Sequence, residues 1–201
     1  MRIRSGLFIA ALLLILIGAL ACRRFGTPTD ELAVIDTNYG RIVIEFFPKD
    51  APKNVANFQA LARQGFYDGT RFFRLVKKSE EPVAIQGGDP NTISGDPSTW
   101  GHGQPGQRTV PAEFSKTLRH VRGTVSMARK ENDPDSATSQ FFICDTTYPK
   151  WDGQYTIFGK VIEGMNVVDT IARAPMFRNT DRPLDPVMVN RVYLVKRGEL
   201  K

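Results

Sequence analysis

The chain is poor in the residues on which most reactive centres are built. Two cysteines and two histidines occur in 201 residues. Two cysteines are too few for a disulfide framework. His102 and His120 have no partner at zinc-ligand spacing and no G-x-S-x-G elbow is present, which argues against metal-assisted or serine-triad hydrolysis. Charge of one sign does not gather either. The 27 Lys and Arg are mixed with 21 Asp and Glu, and no basic block is threaded by aromatics, so a nucleic-acid partner is not expected. One glycine motif, Gly101-His102-Gly103-Gln104-Pro105-Gly106, matches G-x-G-x-x-G but sits among Gly and Pro instead of between a strand and a helix. It is therefore not a dinucleotide fingerprint, and neither a cofactor nor a metal is expected.

Long apolar runs are also scarce, with one exception. Leu7 to Ile17 follow Arg2 and Arg4 and end in Gly18-Ala19-Leu20-Ala21 before Cys22. A charged start, an apolar middle and small residues at the cut are the anatomy of a secretory signal, here residues 1–21. A cysteine at that place resembles a lipoprotein box, in which the Cys22 thiol is lipidated. Ala19-Leu20-Ala21 also suits an ordinary A-x-A cut, and an uncleaved anchor is the third reading, although the run is short for a span. All three place the domain outside the cytoplasm, as a cell-envelope protein held to the membrane through Cys22 in the first case. Residues 22–31 then form a polar tether, and 32–197 form one domain long enough to bury a full core.

Within that domain, 32–37 and 41–47 alternate as strands around Asn38-Tyr39-Gly40, which suits a tight turn. Apolar residues at helical spacing predict a helix over 51–64, closed by Gly65, and a second over 165–172. Short strands are expected at 72–76, 83–86, 124–128, 140–144, 156–162 and 187–196, with a charged insert at 77–81. Residues 87–111 are a long Gly/Pro-rich loop, and loops of that length are usually functional. Many short strands, two helices and no βαβ rhythm indicate a mostly-β antiparallel barrel or sandwich.

Against this background a few polar side chains stand out. Arg74 lies inside the apolar run Phe72-Phe73-Arg74-Leu75-Val76, and Gln140 stands beside Phe141-Phe142-Ile143. Arg74, Gln86, Gln140 and Phe142 together suit one shallow pocket with directed hydrogen bonds. Ser126 and Ser139 are expected to bond to backbone, and Cys144 to be a buried small residue.

These residues resemble the cyclophilin family of peptidyl-prolyl isomerases from about Leu32 to Val195. The likeness is carried by Phe72-Phe73-Arg74, Gln86-Gly87-Gly88-Asp89, Pro111-Ala112-Glu113-Phe114, Ser126-Met127-Ala128, Ser139-Gln140-Phe141-Phe142-Ile143, Asp152-Gly153 and Phe158-Gly159-Lys160-Val161 with Glu163-Gly164-Met165. It implies a closed eight-stranded antiparallel barrel capped by two helices. It further implies that Arg74 is catalytic, flanked by Gln86 and Gln140 as hydrogen-bonding partners, with Phe142 as the floor of a proline pocket. Ala128 and Arg129 would offer backbone groups to the peptide, and Gly101 and Gly103 would edge the neighbouring subsite. Val83, Ala84, Phe141, Trp151 and Tyr155 would complete the binding surface.

The departures are local. Val83 and Ala84 stand where a phenylalanine and a methionine are usual, Lys150-Trp151 where tryptophan comes first, and Tyr155 where histidine is frequent. The implied protein is a monomeric isomerase acting on proline-containing unfolded or exported polypeptides, with altered peptide preference and weak cyclosporin binding. The alternative is a non-catalytic peptide-binding module of the same fold in the cell envelope.

Overall fold

Residues 30–200 are described by a computed structural model, and the signal segment, Cys22 and most of the tether lie outside them. The first hairpin follows directly from alternation. Strands β1 (Glu31–Thr37) and β2 (Gly40–Phe46) pair antiparallel from Leu32↔Glu45 to Thr37↔Gly40 across a two-residue turn. Ala33 and Ile35 point into the main core, whereas Leu32 and Val34 join Val43 in a second cluster on the opposite face.

Helix α1 (Pro52–Arg63) opens with proline at its start and has no side-chain cap of its own. A carboxylate from far along the chain takes that place. Glu113 accepts the Lys53 and Asn54 backbone N–H groups at 3.1 and 3.0 Å, and the Asn54 amide at 2.8 Å. A negative charge on the open N–H groups at a helix start satisfies orphan donors and complements the dipole. The helix buries Val55, Phe58 and Ala62; the Phe58 ring packs on Phe46, Tyr67, Phe141 and Phe158. Helix α2 (Met165–Ala172) adds Val167, Val168 and Ile171 to the same core. Its entry through Gly164, at φ +88°, admits no side chain, because a Cβ there would meet the Arg41 carbonyl oxygen.

The remaining strands are β3 (Arg74–Lys78), β4 (Glu81–Gly87), β5 (Thr124–Met127), β6 (Phe141–Cys144), β7 (Ile157–Glu163) and β8 (Val189–Lys196). They form one sheet in the order β3-β4-β6-β5-β7-β2-β1-β8, with antiparallel ladders. The eight strands and two helices are those expected; the closure is not a full ladder. The sheet curls into a half-barrel whose ends meet at an Arg71↔Met188 bridge and a Phe72 N–H bond to the Val187 carbonyl at 3.0 Å. Beyond that point β3 does not continue the ladder, and Leu75 N–H bonds to the Asp181 carbonyl at 2.7 Å.

The charged insert extends the β3–β4 hairpin. Lys77 pairs with Pro82 and Lys78 with Glu81, and Ser79 and Glu80 make the turn at φ +49° and +68°. Positive φ at both central residues is the I′ geometry that matches strand twist. Serine and glutamate hold it at some cost, since neither is suited to the left-handed region.

Candidate active site

Strand register builds the site. Arg74 faces Gln86, Gln86 faces Phe142, and Phe142 faces Ser126, so four strands contribute one transverse row. Alternation then sends Leu75, Ile85, Phe141 and Ile143 into the core and leaves Arg74, Gln86 and Phe142 on the other face. Phe141 is therefore not a binding residue. It is 1% exposed and packs edge-on against Phe58, Tyr67 and Phe72 inside the sheet.

The polar groups form a relay. Arg74 Nη1 donates to Gln86 Oε1 at 3.4 Å, Gln86 Nε2 to Gln140 Oε1 at 3.0 Å, and Gln140 Nε2 to the Gly101 carbonyl at 3.0 Å. Gln140 thus does not flank Arg74 but braces the amide that does. Each amide is oriented by its neighbour, so the Gln86 oxygen is presented to one side of the guanidinium.

Gly101 and Gly103 lie in the loop beside Gln140 and the groove, at φ +88° and +68°. They are held by a residue whose role the sequence did not reveal. The fully buried Asp89 carboxylate accepts the N–H groups of Gly101, Gly103 and Asn91 at 2.5, 3.3 and 2.9 Å. A groove of about 490 Å³ runs between this loop and the strand ends, lined by Gln86, Gly101, Gly103, Gln107, Ala128, Arg129 and Gln140 among others. Ala128 can offer a peptide its carbonyl but not its N–H, which donates to the Gln140 carbonyl at 2.9 Å. The Arg129 side chain is tied down, with Nε on the Gln154 carbonyl at 2.9 Å and its guanidinium 4.8 Å from the Tyr155 ring centre.

Phe142 is framed by rings. Trp151 and Tyr155 meet it at 4.9 and 5.4 Å, both edge to face, and His120 lies nearly parallel at 6.0 Å. Ala84 and Cys144 pack in the same cluster. Val83 stands outside it, as the extra residue of a bulge opposite Val76 and Lys77 whose carbonyl accepts the Asp145 N–H at 2.8 Å. Burial in this cluster, reinforced by the Asp152 charge, pushes the Cys144 thiol up to about 12, so it stays protonated.

His120 was unassigned by the sequence, yet it is completely buried beneath Phe142. Asp152, a carboxylate acceptor, takes its Nδ1–H at 2.9 Å, and the opposite nitrogen, Nε2, accepts from Ser126 Oγ at 2.9 Å. Ser126 therefore bonds to an imidazole and not to backbone; Ser139 does bond to backbone, at the Gly88 carbonyl. The order Ser126, His120, Asp152 mimics a hydrolase triad. It is not one, because Ser126 and His120 are both 0% exposed and no substrate atom reaches the hydroxyl. Burial holds the His120 pKa below its ordinary value despite the neighbouring Asp152, which keeps the ring neutral.

An apolar cluster of rings around Phe142, a neighbouring cation hydrogen-bonded to an amide, and an adjoining groove form a surface with the chemistry to receive a peptide. The sequence profile of the cyclophilin type peptidyl-prolyl cis-trans isomerase/CLD family matches residues 32–194. The chain belongs to this family. It is thereby an enzyme, a peptidyl-prolyl cis-trans isomerase. It is 41% identical over 162 residues to the peptidyl-prolyl cis-trans isomerase CYP18-1 of Arabidopsis thaliana, covering 80% of this chain and 93% of that one. It is 39% identical over 181 residues to a probable peptidyl-prolyl cis-trans isomerase of Brucella abortus, covering 88% and 89%. Among solved structures, a cyclophilin of Cryptosporidium parvum crystallised in the presence of the dipeptide Ala-Pro superposes with a TM-score of 0.71. That structure is 32% identical and covers 82% of this chain and 99% of its own.

Proposed function

We propose that this cyclophilin turns X–Pro bonds by a hydrogen bond from Arg74 to the prolyl nitrogen while Phe142 seats the ring. The observation that carries the reading is the relay from Gly101 through Gln140 and Gln86 to Arg74, alongside the Phe142 floor. Amide resonance sets a barrier of about 18–20 kcal/mol and leaves uncatalysed exchange at tens of seconds or more. In the twisted transition state the nitrogen lone pair is localised and accepts a hydrogen bond that either planar isomer accepts poorly. A fixed guanidinium donor therefore binds the twisted state in preference, which is catalysis without proton transfer. Arginine suits the task because its planar fork stays charged and can be oriented from behind.

The substrates on this reading are proline-containing segments of unfolded or exported polypeptides, bound by a monomer. Ala84 in place of a larger side chain widens the floor and favours a shifted peptide preference and weak cyclosporin binding. Residues 1–21 act as an export signal and lipidated Cys22 as the membrane anchor, a reading that rests on sequence alone. Mass spectrometry of the mature N-terminus tests the anchor, and an unmodified Cys22 would refute it. The chemistry is tested by proline-peptide isomerisation with residues 23–201 and with Arg74→Ala. Loss of a transition-state donor of this type costs about 100-fold or more. Equal rates for the two proteins would sink the assignment of Arg74.

A further inference from the structure

Arg74 has a second partner outside the relay. Its Nε donates to Asp181 Oδ2 at 2.9 Å, across 107 residues of sequence. The carboxylate is not a passing surface charge. The Asp181 carbonyl accepts Leu75 N–H at 2.7 Å, so residue 181 is pinned to β3 next to Arg74 itself. The turn that carries it is also built: Phe177 N–H bonds to the Arg182 carbonyl, Thr180 N–H to the Phe177 carbonyl, and Asn179 takes φ +59°. Arg182 stacks over Phe177 at 4.4 Å and over Trp100 at 5.9 Å, while Arg71 stands over Trp100 at 5.3 Å. The Asp181 turn is thus clamped both to β3 and to the loop that bears Gly101.

We propose that Asp181 is the positioning residue for Arg74, holding the guanidinium edge that Gln86 does not hold. The inference rests on the reading of Arg74 given above. A guanidinium has five N–H donors in a fixed fork. Asp181 engages Nε and Gln86 engages Nη1, on two sides of the fork. Two anchors stop rotation about the terminal bonds and leave Nη2 free to meet the prolyl nitrogen. The Gln86 contact alone, at 3.4 Å, is long for a hinge that must hold a side chain 47% exposed. Misplacement by about 1 Å at a reacting group costs on the order of 100-fold, and a partly retained anchor moderates that loss. Because both partners are about half exposed, the pair adds little to folding, so its effect on rate is separable from stability.

The test compares Asp181→Ala and Asp181→Glu in the wild-type and Arg74→Ala backgrounds. D181A is expected to lower kcat/KM about tenfold, through kcat with KM nearly unchanged, and D181E to restore most of it. Adding D181A to R74A should cost nothing more. In 15N NMR of D181A, the Leu75 amide should stay in place while the Arg74 Nε–H resonance shifts and exchanges faster. Wild-type kcat in D181A, or an equal further loss in the R74A background, would overturn the proposal. So would a displaced Leu75 amide with an unaltered Arg74 Nε–H, since that marks loop support only. If R74A itself runs at the wild-type rate, the reading of Arg74 falls, and this proposal with it.

Discussion

His120→Leu is the most informative single perturbation of the buried face of the site. Leucine is close to imidazole in volume, so the cavity contribution is small and the loss is that of hydrogen bonds. Ser126, completely buried, loses its His120 partner, which costs about 1–3 kcal/mol. Asp152 loses the Nδ1–H bond but keeps the His120 backbone N–H at 2.7 Å and remains partly solvated, so its share is about 1 kcal/mol. The sum, about 3 kcal/mol near pH 8, corresponds to a fall in Tm of roughly 6–12 °C for a domain of this size.

Acid should then narrow the gap. Burial depresses the folded-state pKa of His120, so below about pH 6.5 the unfolded chain takes up a proton that the folded one refuses. Wild-type stability from this group is complete above pH 6.5 and falls as pH drops, by up to about 1.4 kcal/mol per pH unit until the folded value is reached. The variant has no such group. At pH 5.5 its deficit should therefore be smaller than at pH 8. Thermal melts of both proteins from pH 8 to pH 5.5 supply the measurement. Parallel curves would show that His120 is not a buried neutral ring and would refute the argument.

Two further outcomes follow from local geometry. Replacing the strained hairpin tip, Ser79→Asn with Glu80→Gly, should stabilise the protein by about 1 kcal/mol and leave isomerisation unchanged, as read by melting and assay. An unchanged or lower Tm would mean that the tip is not strained. Cys144 should resist alkylation at pH 8 in the folded protein and react promptly in denaturant, followed by mass spectrometry. Fast native labelling would contradict its buried, protonated state.

Alternation and spacing determined a good deal by themselves. They set the first hairpin, both helices, the mostly-β class and the apolar strands that carry Arg74, Gln86 and Phe142, with Gln140 just ahead of β6, because side-chain direction repeats every two residues in a strand and every 3.6 in a helix. What they could not supply was which residues meet. Phe141 and Phe142 are chemically identical neighbours, and the ladder between β4 and β6 decided that one is core and the other floor. The same holds for the partners that arrive from far along the chain. Glu113 caps α1 from 60 residues away, Asp152 holds His120 across 32, and Asp181 holds Arg74 across 107. A carboxylate reads as an ordinary surface charge in any local window. Its role is set by the donor that the curled sheet brings within 3 Å of it, and that is a property of the tertiary structure alone.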